Sequence, residues 1–156
     1  MIGIAIRALL FTLVVPGTIV TIGGPYLVLG CPHALHPHYA LGYAVIAIGA
    51  AIYAWCTWNF IVTGRGTPAP EAPPRELVSV GLYRYSRNPM YVGVVTVLFG
   101  EALLLGSWHL VAYAACIVTA FHLRVLFYEE PNLRRLFGAA YGRYCAGVPR
   151  WIGVLR

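Results

Sequence analysis

The sequence predicts an all-α membrane protein: a polytopic bundle of about four transmembrane helices closed by a C-terminal amphipathic helix. Three observations predict it. Hydrophobic residues make up 60% of the 156-residue chain and charged residues only 10%, against roughly 25% charged in a soluble domain. The apolar residues gather into long runs, and at ~1.5 Å per residue a run of about 20 crosses a ~30 Å hydrocarbon core. Charged, amide and phenolic groups are packed against the ends of those runs, where polar groups are costly and usually functional.

The elements follow in order. Ile2 to about Leu29 is the first span, kinked by Pro16, which removes a backbone donor. It reads as a retained helix rather than a cleaved leader, since it is too long for a signal-peptide core and has no clear small-residue cleavage site. Cys31 to His38 is a polar turn. His38 or Tyr39 to about Val62 is the second span. Thr63 to Val80 is the longest loop, kept from helicity by Pro68, Pro70, Pro73 and Pro74. Pro89 to about Gly106 is the third span, with proline at a natural first helical position. A tight Gly106–His109 turn leads to the fourth span, Leu110 to about Tyr128. In the tail, Leu133, Leu136, Phe137, Ala140, Tyr141, Tyr144 and Cys145 recur at helical spacing while Arg134, Arg135 and Arg143 face away, an amphipathic pattern suited to a membrane interface. Pro131 biases Glu130 away from helical geometry, so a break or kink is expected near Glu129–Pro131.

The net charge of +6 comes entirely from arginine, for the chain has no lysine and no aspartate. Nucleic-acid binding is not expected, because the arginines sit beside apolar segments rather than on a polar basic face. Anionic membrane lipids suit them better. Arg65, Arg75, Arg84 and Arg87 accompany the long loop, Arg134, Arg135, Arg143, Arg150 and Arg156 the tail, and Arg7 the start. The two short turns carry none. The positive-inside rule therefore puts both termini, the long loop and any site beside them in the cytoplasm. An even number of spans agrees. The chain reads as one membrane domain, 1–156, and its oligomeric state is not legible.

Two polar clusters lie at this edge. Arg84, Arg87, Asn88, Pro89 and Tyr91 open the third span, where free backbone donors and the helix dipole favour an anion. The plainer reading is that the arginines anchor topology by reaching the headgroups. Glu129 and Glu130 end the fourth span. They could bind a cation, accept a proton or pin the tail by salt bridges. Adjacent helical residues point about 100° apart, so the two are expected to differ in role. His122 and Arg124 point toward the same end. Tyr141, Tyr144 and Trp151 read as an aromatic belt or as an aromatic wall of the site.

Other features read as structural. Glu101, inside the third span, would cost about 2.5–3.5 kcal/mol if charged at the bilayer centre, and a polar contact to Tyr or His across the bundle is expected for it. His33, His36 and His38 with Cys31 match no zinc spacing, and no metal is expected. The four cysteines show no C-x-x-C and are read as packing residues.

These motifs resemble an integral-membrane methyltransferase family that includes isoprenylcysteine carboxyl methyltransferases and phospholipid N-methyltransferases. The likeness runs from about Leu77 to Trp151. It is carried by G-L-Y-R-Y-S-R-N-P-M-Y, and by E-E followed by L, F-G, two tyrosines and V-P-R. No family motif is evident in residues 1–76. The resemblance implies S-adenosylmethionine as cofactor, held between the hairpin and the C-terminal segment, and a lipophilic acceptor arriving from the bilayer. It implies catalytic roles for Glu129, Glu130 and Arg87. It implies cofactor contacts from Arg84, Arg87, Asn88, Pro89, Tyr91, Glu129, Glu130, Tyr141 and Tyr144. Asn88 stands where histidine is common, so it offers a hydrogen bond but no proton shuttle. Isoprenylcysteine carboxyl O-methylation is the first reading. Phospholipid N-methylation, small-thiol methylation, a sterol-reductase-like nicotinamide enzyme and a non-catalytic scaffold or transporter are the alternatives.

Overall fold

The computed structural model of the chain describes residues 17–20, 38–63 and 77–153. Among them every regular element is helical: α1 (Tyr39–Val62), a 3-10 turn (Gly81–Arg84), α2 (Pro89–Leu105), α3 (Trp108–Arg124), a π-helical turn (Val125–Glu129) and α4 (Glu130–Gly147). Apart from 17–20, the expected first span lies outside the described residues, as do His33, His36 and most of the long loop.

Among the described residues two stretches are long and apolar enough to cross a membrane, Tyr39–Val62 and the continuous Trp108–Gly147; Pro89–Leu105 is a shorter apolar helix. The second of the four expected spans thus has the expected bounds. The third, at 17 residues and roughly 26 Å, sits at the short end of what spans.

α1 and α2 meet backbone to backbone because glycines face each other. Gly42 and Gly49 on α1, and Gly93 and Gly100 on α2, each lie two turns apart and so share a face. A Cβ on Gly49 would fall 2.7 Å from the Gly93 carbonyl oxygen, and one on Gly100 would fall 3.0 Å from that of Gly42. Small residues of this kind let helices associate where lipid provides no hydrophobic drive. On the outer face of α1, Leu41, Ile48, Trp55 and Trp58 are more than half exposed, as lipid-facing side chains are.

At the other end of α2, Gly106 adopts φ 59°, ψ 35°, and its N–H bonds the Ala102 carbonyl. This left-handed cap is glycine's own. It turns the chain so sharply that α3 begins at Trp108, two residues earlier than the sequence pattern indicates. The hairpin brings the start of α2 and the end of α3 to one edge of the bundle.

The helix does not break at Glu129–Pro131; a π-helical turn ending at Glu129 marks the place instead. Glu130 stays helical (φ −61°, ψ −43°), and its N–H reaches back five residues to the Val125 carbonyl. Widening one turn accommodates the donor that Pro131 lacks without stopping the helix. The chain bends later, at Gly138, whose φ 50°, ψ −124° interrupts α4. The amphipathic reading of the tail is therefore only partly right. Tyr141 is buried, but Leu136 is 59% exposed, because the bend separates the two halves of the stripe.

Candidate active site

The two adjacent glutamates anchor two separate clusters. Glu130 accepts from Arg87 Nη1 at 3.1 Å and from Arg150 twice, Nε to Oε1 at 2.6 Å and Nη2 to Oε2 at 3.2 Å. Both Arg87 and Glu130 are nearly enclosed, with side chains 12% and 9% exposed. Burial alone would raise the Glu130 carboxyl. The Arg150 hydrogen bonds and the neighbouring Arg87 outweigh it and hold the group below the ordinary carboxylate range. It is an ionised acceptor at neutral pH, poorly suited to take a proton.

Arg87 uses the same Nη1 to approach Cys145 Sγ at 2.9 Å. Cys56 is buried in the apolar cluster with Val78 and Tyr83, but Cys145 belongs to this polar group instead. The Nε of Arg87 is buried and has no partner among the described residues. A buried guanidinium N–H left open is costly, and its geometry suits a carboxylate oxygen.

The segment after α4 is strapped across the start of α2. The Arg87 N–H bonds the Pro149 carbonyl at 2.9 Å. Asn88 Nδ2 donates to the Arg150 carbonyl at 2.9 Å, and Ser86 Oγ does so at 3.5 Å. Asn88 therefore does not cap its helix but ties the two ends of the site together. Tyr144 donates to the Tyr83 carbonyl at 2.7 Å. Tyr141 is 2% exposed, and burial pushes its phenol up to about 12, so it is a neutral donor near Arg87.

Glu129 anchors the other cluster. It accepts from Arg124 Nε at 2.9 Å and from the Tyr91 hydroxyl, and Arg124 Nε also lies 3.2 Å from that hydroxyl. This group is more open, with Arg124 and Glu129 side chains 44% and 26% exposed. The Tyr91 ring stacks on Phe121 at 4.3 Å, and that pair lines part of an apolar groove of about 380 Å³. Val92, Val95 and Thr96 of α2, Val118 of α3, and Trp151 and Ile152 complete its lining. The Trp151 indole N–H donates to His122 Nδ1 at 3.1 Å.

Of the residues singled out from sequence, Arg87, Glu130 and Tyr141 meet in the first cluster, with Asn88 and Tyr144 bonded beside it. Tyr91 and Glu129 meet in the second. Pro89 is buried at the first position of α2 and offers no polar atom. Arg84 stands apart from both clusters: it is exposed and makes no ion pair among the described residues. The 3-10 turn that carries it buries Tyr83 and leaves Arg84 outside. Arg124, which points to this end of α3, joins the second cluster through Glu129. Arg150 was missed as a site residue, although its place in V-P-R was a signal. Glu101 has one buried carboxylate oxygen without a hydrogen-bond partner among the described residues, and Tyr113 of α3 lies within electrostatic range of it. No group of three metal-ligating side chains occurs among the described residues.

Comparison with known proteins bears on what the two clusters do. A family model described as phospholipid methyltransferase matches residues 36–140, starting ahead of Leu77 and taking in α1. A protein-S-isoprenylcysteine O-methyltransferase of Schizosaccharomyces pombe is 32% identical over 79 residues, which is 51% of this chain and 34% of that relative. The matched segment thus spans about a third of the relative's length. No solved structure gives a significant match.

Proposed function

The chain belongs to the phospholipid methyltransferase family, and from that premise we propose that it transfers a methyl group from S-adenosylmethionine to a lipophilic acceptor, favouring the carboxylate of a prenylated cysteine. The observation that carries the proposal is the pairing of a buried cluster holding an open arginine N–H with a second cluster that reaches an apolar groove through Tyr91. The reaction takes place at the cytoplasmic edge of a multi-pass bundle with both termini on that side, and residues 77–151 form its core.

When bound, S-adenosylmethionine supplies an electrophilic methyl on a sulfonium, together with a carboxylate and an ammonium that need partners. Arg87 Nε is the donor this chain offers to the carboxylate, and Tyr141 adds a neutral hydroxyl. Glu130 keeps Arg87 in place and adds negative potential beside a cationic ligand. Arg150 and Asn88 hold the strap across the site and limit water. The apolar groove receives the hydrocarbon chain of the acceptor and leaves its polar end at Tyr91, Glu129 and Arg124. Among the described residues Arg124 bonds the cluster through Nε and lies over the Tyr128 ring, and its Nη groups are the donors it would offer an acceptor carboxylate. Such an acceptor is already ionised and needs orientation rather than a base. Holding the reacting groups in line in a dry site supplies several kcal/mol of the barrier.

The family description favours one second reading, phospholipid N-methylation. There the acceptor is an amine, and Glu129 would hold the ammonium or take its proton. One experiment separates these readings from the others. The protein in lipid nanodiscs is titrated calorimetrically with S-adenosylhomocysteine and with a nicotinamide nucleotide. Methyl incorporation is then followed into an S-prenylated N-acetylcysteine and into phosphatidylethanolamine. We expect S-adenosylhomocysteine to bind, the nucleotide not to, and the cysteine carboxylate to be esterified. Binding of the nucleotide alone would overturn the methyltransferase reading, and methylation of the amine alone would move the acceptor to a phospholipid.

A further inference from the structure

Among the described residues, the strap's backbone is bonded only on the side before Trp151. Its backbone bonds at Pro149 and Arg150, and the Arg150 guanidinium on Glu130, all lie before Trp151. Beyond it, Ile152 is 79% exposed. Between these, the Trp151 ring forms one wall of the groove and is held by two interactions with α3: the 3.1 Å bond to His122 Nδ1 and ring stacking at 6.0 Å. An indole N–H can only donate. The bond therefore needs His122 with Nδ1 unprotonated, and without it no hydrogen bond fixes the indole.

The size of the groove sets what it takes. An apolar cavity of ~150 Å³ holds one benzene ring. The groove is more than twice that volume, at about 380 Å³, and open on one side, a size that suits one hydrocarbon chain rather than two. We propose that Trp151 is the specificity-determining wall that stops this chain, and that His122 is the positioning residue that holds the wall. The inference rests on the groove being the acceptor site.

The test uses the full chain in nanodiscs and S-prenylated N-acetylcysteines with chains of ten, fifteen and twenty carbons. Trp151→Ala removes the wall, so the kcat/KM ratio for twenty over fifteen carbons should rise at least fivefold, with S-adenosylhomocysteine affinity within twofold. His122→Ala should raise KM for the fifteen-carbon acceptor several-fold with little change in kcat. His122→Asn, whose amide oxygen can accept the indole N–H, should restore it. Trp151→Phe keeps a ring but no donor and should resemble His122→Ala.

A readout independent of turnover uses the W55F/W58F/W108F chain, which leaves Trp151 as the sole tryptophan. A single-chain amphiphile brominated along its tail should quench its fluorescence saturably, and the unbrominated amphiphile should compete. Unchanged chain preference in Trp151→Ala, or non-saturable quenching, overturns the proposal. Saturable quenching without methylation of any prenylcysteine upholds the chain-binding wall while removing the prenylcysteine as acceptor.

Discussion

Replacing Glu130 with glutamine tests whether the buried cluster is chiefly a clamp. Two guanidinium groups converge on this carboxylate, at 3.1 Å from Arg87 and 2.6 Å from Arg150. Their situations differ. The Arg87 side chain is 12% exposed, whereas that of Arg150 is 32% exposed and can swing toward water. Removing one partner of a buried ion pair costs about 3–5 kcal/mol, largely because the other charge stays buried. Glutamine keeps an acceptor oxygen and Arg150 has an escape, so Glu130→Gln belongs at the low end, ~3 kcal/mol. In a chain of this length that corresponds to a melting point lower by roughly 6–12 °C. Arg87 also carries the open Nε, so S-adenosylhomocysteine affinity should fall together with stability. Thermal denaturation in detergent and calorimetric binding on the same preparation give both numbers. A variant melting within 2 °C of the parent, with unaltered affinity, would refute the clamp.

Glu129→Gln should behave in the opposite way. Its pair with Arg124 is partly exposed and such pairs contribute about 0–1 kcal/mol, so melting should move little. Methyl transfer should drop about a hundredfold if Glu129 orients or deprotonates the acceptor, and parallel loss of stability would instead make it a second clamp. Gly138→Ala meets no neighbouring atom within 4 Å, so its cost is conformational alone, about 1–3 kcal/mol for φ 50°, read as a lower melting point. Acid offers a fourth test. The Glu130 carboxyl is held below its ordinary range, so its stabilisation is complete above that range and is lost as pH falls through the depressed value. Stability measured against pH should decline there in the parent and less in Glu130→Gln. Finally, reporter fusions at Gly66 and the C-terminus should read cytoplasmic and those at Ala34 and Ser107 external, whereas a cytoplasmic Ser107 would rule out an α2–α3 hairpin that spans.

What could be read from sequence was what depends on local spacing. The α1 bounds, the glycine turn at Gly106 and proline at the head of α2 follow from periodicity and backbone chemistry within a few residues. So does the divergence of Glu129 and Glu130, since 100° per residue sends neighbours to different partners. The continuity through Pro131 was not legible, because a missing donor can be met by stopping the helix or by widening one turn, and surrounding packing decides between them. The glycines that join α1 to α2 carry the right period but gain meaning only when the facing helix is known. Arg150 shows the limit most clearly. A cation at a membrane edge can be satisfied by lipid headgroups or by a carboxylate elsewhere in the chain, and composition gives its sign but not its partner. Arg84 and Arg150 share the same charge and the same edge. Only the strap, with its carbonyls bonded to Asn88 and Ser86, brings one of them to Glu130 and leaves the other outside.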